Sequence, residues 1–228
     1  RAPRMYGALD LGTNNCRLLI AKPSGPGFRV VASFSRIVRL GEGLAESGRL
    51  ADIAMDRTIS ALAICSDKLK SFDVALSRSI ATEACRRATN CDEFLARIDF
   101  ETGLNFEAIT SNEEARLALR GCQSLLNPEQ PYAVVFDIGG GSTELMWVKQ
   151  EPHSSTQGGT TMIDAISVPS GVVSLCEEFG SGVIGQSAFA EIGSHVADEL
   201  NAFDERHEIS SEIKNGNVQM LGTSGTVT

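Results

Sequence analysis

The sequence repeats itself at an offset of 127 residues, Asp10 against Asp137, and no other feature restricts its fold as strongly. Ala8-Leu9-Asp10-Leu11-Gly12-Thr13-Asn14-Asn15-Cys16-Arg17-Leu18-Leu19 aligns with Val135-Phe136-Asp137-Ile138-Gly139-Gly140-Gly141-Ser142-Thr143-Glu144-Leu145-Met146. Each copy is an apolar strand, then Asp, an aliphatic residue, Gly, a tight polar turn and a second apolar strand. A repeat spaced at about half the chain means two similar domains rather than a solenoid. A length of 228 residues suits one or two domains of roughly 150 residues each. Apolar strands flank both sides of each turn, so each copy reads as a β-hairpin. That argues against a Rossmann or Walker site, and neither GxGxxG nor GxxxxGK[ST] occurs.

Around the repeats the pattern is α/β. Tyr6 to Gly12, Arg17 to Lys22 and Phe28 to Val38 read as a three-strand meander, with turn residues between them. Asp52 to Phe72 is expected to be a helix, its inner face marked by Met55, Ile59, Leu62 and Leu69. Asp73 to Ala81 and Asn105 to Ile109 read as strands, and Ala84 to Thr89 and Cys91 to Phe100 as short helices. Ser111 to Leu126 reads as a helix. The break Asn127-Pro128-Glu129-Gln130-Pro131 then sets the expected boundary, giving domains 1–129 and 130–228. In the second half, Tyr132 to Asp137, Glu144 to Lys149, Ile163 to Val168 and Asn217 to Gly222 read as strands. Val172 to Phe179 and Ser187 to Phe203 read as helices, and Glu151 to Thr161 as a polar loop. The chain stops inside Thr223-Ser224-Gly225-Thr226, so the second domain is expected to be incomplete.

The hairpins can do chemistry. Glycine lets backbone approach a ligand closely, and a concave run of N–H groups binds phosphate oxygens. Thr13, Ser142 and Thr143 add hydroxyl donors. An Asp at the strand end tolerates a phosphate only with a cation between them, and carboxylate, phosphate oxygen and water are the ligands Mg²⁺ prefers. A single such hairpin is commonly just a surface turn; an aligned pair is not.

Composition narrows the partners. With 20 basic against 29 acidic residues, the net charge is -9, which argues against duplex nucleic acid held by the overall field. A polyanion would need a confined site. No run reaches the roughly 18 consecutive apolar residues of a membrane span. The six cysteines (Cys16, Cys65, Cys85, Cys91, Cys122, Cys176) form no CxxC pair and no zinc spacing, so they read as reduced, partly buried thiols of a cytoplasmic protein. A homodimer is one assembly left open.

Asp10-Leu11-Gly12-Thr13-Asn14 resembles the first phosphate loop of the actin / sugar-kinase / heat-shock ATPase superfamily, and Asp137 to Glu144 (DIGGGSTE) its second. Leu221-Gly222-Thr223-Ser224-Gly225-Thr226 resembles a further Gly-rich loop. DIGGGSTE, ATEACRRATN (Ala81 to Asn90) and SNEEAR (Ser111 to Arg116) are similar to the exopolyphosphatase / guanosine pentaphosphate phosphohydrolase family. The resemblance implies two RNase H-like domains with a cleft between them. It also implies metal-dependent release of terminal phosphate from polyphosphate or guanosine pentaphosphate.

By the same resemblance, Glu114 is the base for the attacking water. Arg86, a fork that can grip phosphate oxygens and offset transition-state charge, faces the phosphates, with Arg87 as an assistant. Asn14, Gly139, Gly140, Gly141, Ser142 and Thr143 cradle phosphate, and Asp10, Asp137 and Glu144 hold Mg²⁺ or another divalent cation. Read from the residues alone, Glu114 can equally close a capping box with Ser111, Glu144 can be a solvated strand residue, and Arg86 and Arg87 can be solvated helix arginines. An ATP-dependent small-molecule kinase and an actin-like nucleotide-binding assembly protein are the alternatives within the superfamily.

Overall fold

A computed structural model describes residues 4–25, 27–151, 159–180, 182, 183 and 185–224. The chain divides after Thr110 into two compact units. The first contains strands β1 (Met5–Leu11), β2 (Asn15–Ser24), β3 (Gly27–Ile37), β4 (Val74–Ala81) and β5 (Glu107–Ala108). Its helices are α1 (Leu44–Ser47), α2 (Asp52–Ser71), α3 (Glu83–Arg87) and α4 (Cys91–Thr102). The second contains helix α5 (Ser111–Cys122), strands β6 (Tyr132–Ile138), β7 (Thr143–Glu151) and β8 (Gly159–Val168), helices α6 (Val172–Phe179), α7 (Gln186–His207) and α8 (Ile209–Lys214), and strand β9 (Val218–Thr223).

The sheets are ordered β3-β2-β1-β4-β5 and β8-β7-β6-β9. In both, the first three strands run antiparallel to their neighbours, as in a meander. The next strand returns after a helical crossover and lies parallel to the first. The sequence repeat is thus a repeat of topology, and each unit is RNase H-like, as in the actin-like ATPase fold.

In the first unit, period-2 alternation sends Leu9, Leu11, Cys16, Leu18 and Ile20 to one face. Helices α2 and α4 cover that face with Met55, Ile59, Leu62, Leu69, Phe94 and Ile98. In the second unit both faces are covered. Helix α5 sets Ala115, Leu119 and Cys122 against Ala133, Val135, Met146 and Val148. On the other face Phe203 and Ile209, from α7 and α8, meet Val134 and Trp147. His207 ties the end of α7 to this sheet through a 2.8 Å hydrogen bond to Asp164. That bond, first among several, holds the Asp164 carboxyl below its usual range.

Three features differ from the sequence reading. The helix starting at Ser111 packs on the second sheet, not within residues 1–129, because its apolar stripe matches the alternating inner residues of β6 and β7. The break at 127–131 is only the turn that leads from this helix into β6. Helices α1 and α8 add to the expected elements, and α7 runs on to His207. Most of the polar loop 151–161 lies outside the described residues.

Candidate functional site

The two repeated turns have the same hydrogen-bond geometry. Gly12 donates its N–H to the Asn15 carbonyl (2.9 Å), and Gly139 donates to Ser142 (2.8 Å). In each unit the segment after the third strand folds back under the turn. In the first, Val38 and Arg39 donate to the Asn14 carbonyl and Gly41 donates to the Thr13 carbonyl. In the second, the start of α6 does so: Val172 donates to Gly139, and Val173 and Ser174 donate to Gly140.

This support sets where the turn amides point. All peptide bonds described are trans, so each C=O and the N–H that follows it point in opposite directions. With the Gly139 and Gly140 carbonyls bonded to α6, the N–H groups of Gly140 and Gly141 face away from it. By the same logic the N–H groups of Asn14 and Asn15 face away from the segment 38–41. Each turn therefore presents two adjacent amides, the donor arrangement that suits an anionic oxygen.

The supporting segment must come very close. A Cβ at Gly171 would stand 2.5 Å from the Gly140 carbonyl carbon and oxygen and 2.6 Å from the Gly141 nitrogen, all of them backbone. Gly171→Ala is therefore expected to displace the turn and destabilise the protein by ~1–3 kcal/mol, the usual cost of overpacking. Gly182→Ala, where a Cβ meets nothing within 4 Å, is the control in urea denaturation. Equal midpoints for the two variants would contradict the expectation.

Strand register gathers the acidic residues of the second unit. Asp137 on β6 lies opposite Glu144 on β7, Glu144 lies opposite Ser167 on β8, and Asp137 neighbours Thr223 on β9. Residues opposite each other share a face. This is the face that α5 covers, since Val135 and Met146 lie two residues along on the same side. Just beyond α5, the Asn127 N–H bonds Gln219 (2.8 Å) and its carbonyl accepts from Gln150 (2.8 Å), at the start of β9 and the end of β7. Helix α5 therefore runs antiparallel to β6, and its first turn, with half-buried Glu114, lies at the end of β6 where Asp137 stands. Burial pushes the Cys122 thiol up first, and the Asp137 charge pushes it further.

Glu144 is not a solvated strand residue. It is 2% exposed, and its carboxylate accepts hydrogen bonds from Ser142 (2.7 Å) and Ser167 (2.9 Å). Thr143 donates to the Ser170 carbonyl (2.7 Å), which ties the hairpin to the approach of α6.

In the first unit Asp10 lies opposite Arg17, with 3.9 Å between their charged groups, and both are about half exposed. Arg86, on α3 at the end of β4, is not solvated either. Its Nε and Nη2 donate to Glu83 (3.2 and 2.8 Å) and its Nη1 to the Ile109 carbonyl (3.0 Å). Arg87 is exposed.

Among the described residues no group of three or more His, Cys, Asp or Glu side chains assembles into a protein-only metal cage. Mg²⁺ does not need one, because it is commonly held by one or two carboxylates plus substrate phosphates and water. Asp137 and Glu144, hard oxygen donors on one face, fit that description. Sequence reasoning missed Ser167, Gly171 and Arg57. Arg57 bonds the Val38 and Arg39 carbonyls and Glu42, fixing the segment under the first turn. None of the three has a local signature. Ser167 reaches Glu144 across 23 positions, Arg57 reaches Val38 across 19, and Gly171 meets Gly140 from beyond β8.

Solved structures show what the chain is similar to. It is 31% identical to a crystallised Ppx/GppA family member from Aquifex aeolicus, with a TM-score of 0.70, covering 88% of this chain and 62% of that one. It is 30% identical to a crystallised exopolyphosphatase-like protein, with a TM-score of 0.80, covering 100% and 68%. It shares the fold of an exopolyphosphatase from Cytophaga hutchinsonii at 24% identity, with a TM-score of 0.83, covering 98% and 67%. The chain thus spans about two thirds of the length of these structures. The sequence model of the Ppx/GppA phosphatase family matches residues 19–228. A match that runs from the second strand to the end of the chain makes this protein a member of the Ppx/GppA phosphatase family.

Proposed function

We propose that the protein hydrolyses phosphoanhydrides, releasing terminal phosphate from inorganic polyphosphate, from guanosine pentaphosphate, or from both. The observation that carries this is the antiparallel run of α5 along β6. It brings a half-buried carboxylate, Glu114, to the end of the sheet that holds the turn amides of Gly140 and Gly141 together with Asp137 and Glu144.

In this reading the turn amides of Gly140 and Gly141, with Ser142 and Thr143, hold phosphate oxygens, and the first unit's turn with Asn14 is likewise a phosphate-binding turn. Glu114 accepts the proton of the attacking water as its oxygen approaches the terminal phosphorus in line with the bridging oxygen, which departs on the shortened phosphate chain. In the first unit Arg86, fixed in orientation by Glu83, is a fork that can grip phosphate oxygens. Mg²⁺ held by Asp137 and Glu144 would neutralise phosphate charge. Five buried free thiols accord with a reducing compartment, and we read the site of action as the cytoplasm.

The test is phosphate release from polyphosphate and from guanosine pentaphosphate with no other nucleotide present. Mg²⁺-dependent release is expected, with Asp137→Asn needing more Mg²⁺ for half-maximal rate. Release that needs ATP, or that persists undiminished in excess chelator, would overturn the reading. The first result would favour a kinase of the same superfamily.

A further inference from the structure

The two repeated turns are braced by different kinds of donor. In the second unit the N–H groups that hold the Gly139 and Gly140 carbonyls come from the start of α6, an eight-residue helix whose N-terminal end carries partial positive charge. In the first unit the Asn14 carbonyl accepts from Val38 (2.8 Å) and Arg39 (3.0 Å), in the irregular segment between β3 and α1. Behind that segment stands a full positive charge. Arg57, carried on α2 between buried Met55 and Ile59, donates Nε to the Val38 carbonyl and Nη2 to the Arg39 carbonyl (3.0 Å) and to Glu42 (2.8 Å). The Val38 C=O and the Arg39 N–H are opposite ends of one trans peptide, as are the Asn14 C=O and the Asn15 N–H. The bonds therefore form one chain: Arg57 to the Val38 carbonyl, the Arg39 N–H to the Asn14 carbonyl, and the Asn15 N–H outward. Arg39 is also left-handed, with φ 46°, a conformation that costs a residue with a Cβ, and the bond from Arg57 to its carbonyl offsets that cost.

We propose that Arg57 is a positioning residue for the first turn: through this relay of two peptides its guanidinium aims and polarises the Asn15 amide toward an anionic phosphate oxygen. The proposal rests on the reading of that turn as a phosphate-binding one. Hydrogen bonds in a chain strengthen one another, so a cation at the tail makes the amide at the head a better donor without touching the anion. Arg57 thus takes in the first unit the part that the start of α6 takes in the second. A guanidinium suits this place because its planar fork meets two successive carbonyls at once and keeps its charge at any working pH.

The test follows backbone amides by NMR in the nitrogen-labelled, folded protein as inorganic phosphate is added. In wild type the Asn14 and Asn15 amide protons are expected to move downfield and saturate. In Arg57→Gln, which is shorter and neutral, the Asn15 amide should begin upfield of its wild-type position, and the phosphate Kd should rise roughly 5–10-fold, the worth of one ordinary hydrogen bond. Arg57→Lys keeps the charge but loses the fork, and should fall between the two. The changes should stay within residues 12–15, 38–42 and the neighbours of Arg57. Wild-type affinity and a wild-type Asn15 resonance in both variants would overturn this inference alone. Weaker binding accompanied by shifts across α2 and the first sheet would make Arg57 a general structural residue and overturn it too. If the wild-type Asn14 and Asn15 amides ignore phosphate, the reading of the turn fails, and this inference with it.

Discussion

Glu114→Gln should lower kcat for phosphate release from polyphosphate by at least ~10²-fold, with KM nearly unchanged. The amide keeps the shape of the side chain and its ability to hydrogen bond, but it cannot take a proton from water. A loss confined to kcat is the signature of a group that acts in the transition state. The helix should survive the change, because α5 is held by Ala115, Leu119 and Cys122 on the second sheet and not by its first turn. Turnover equal to wild type would return Glu114 to a helix-capping role. A rise in KM alone would make it a binding group.

Phe94→Ala should cost ~3–5 kcal/mol of stability, read as a fall in the urea midpoint. Phe94 is fully buried on α4, in the core that α2 and α4 build over the first sheet. That sheet carries the Asp10 hairpin, and its β4 leads directly into the helix that carries Arg86. Collapse around the missing ring would therefore move the elements that carry Asp10 and Arg86 as well as weaken the unit. A cost under about 1 kcal/mol would mean that α4 repacks and that Phe94 is not the anchor described here.

What was legible in the residues depended on range. The hairpins were, because a Gly-containing turn between two alternating strands is a local pattern. Register then followed from it: the alignment of Asp10 with Asp137 and Arg17 with Glu144 is the strand pairing found in both sheets. The long helix with Met55, Ile59, Leu62 and Leu69 inward was equally local. The unit that owns the helix at Ser111 was not legible, because its apolar stripe would suit either sheet and only packing chose.

Glu144 shows the same limit at the site. Its position in the repeat marked it as a candidate, but nothing nearby in sequence foretold that a carboxylate would be 2% exposed and met by Ser167, 23 residues on. Arg86 was recognisable by motif, and its hold on Glu83 lies within one helical turn, yet its bond to the Ile109 carbonyl depends on how β5 closes the sheet edge.

The sequence by itself determined the twin hairpins, their turn chemistry and the α/β alternation around them, since these rest on interactions between residues a few positions apart. Tertiary structure alone decided that α5 runs back along β6 and that Gly171 lies under Gly140. It also decided that Glu144 stands buried inside the second sheet. Each of these is fixed by a contact between residues far apart in sequence, where apolar burial and the need to satisfy buried polar groups choose among locally equivalent arrangements.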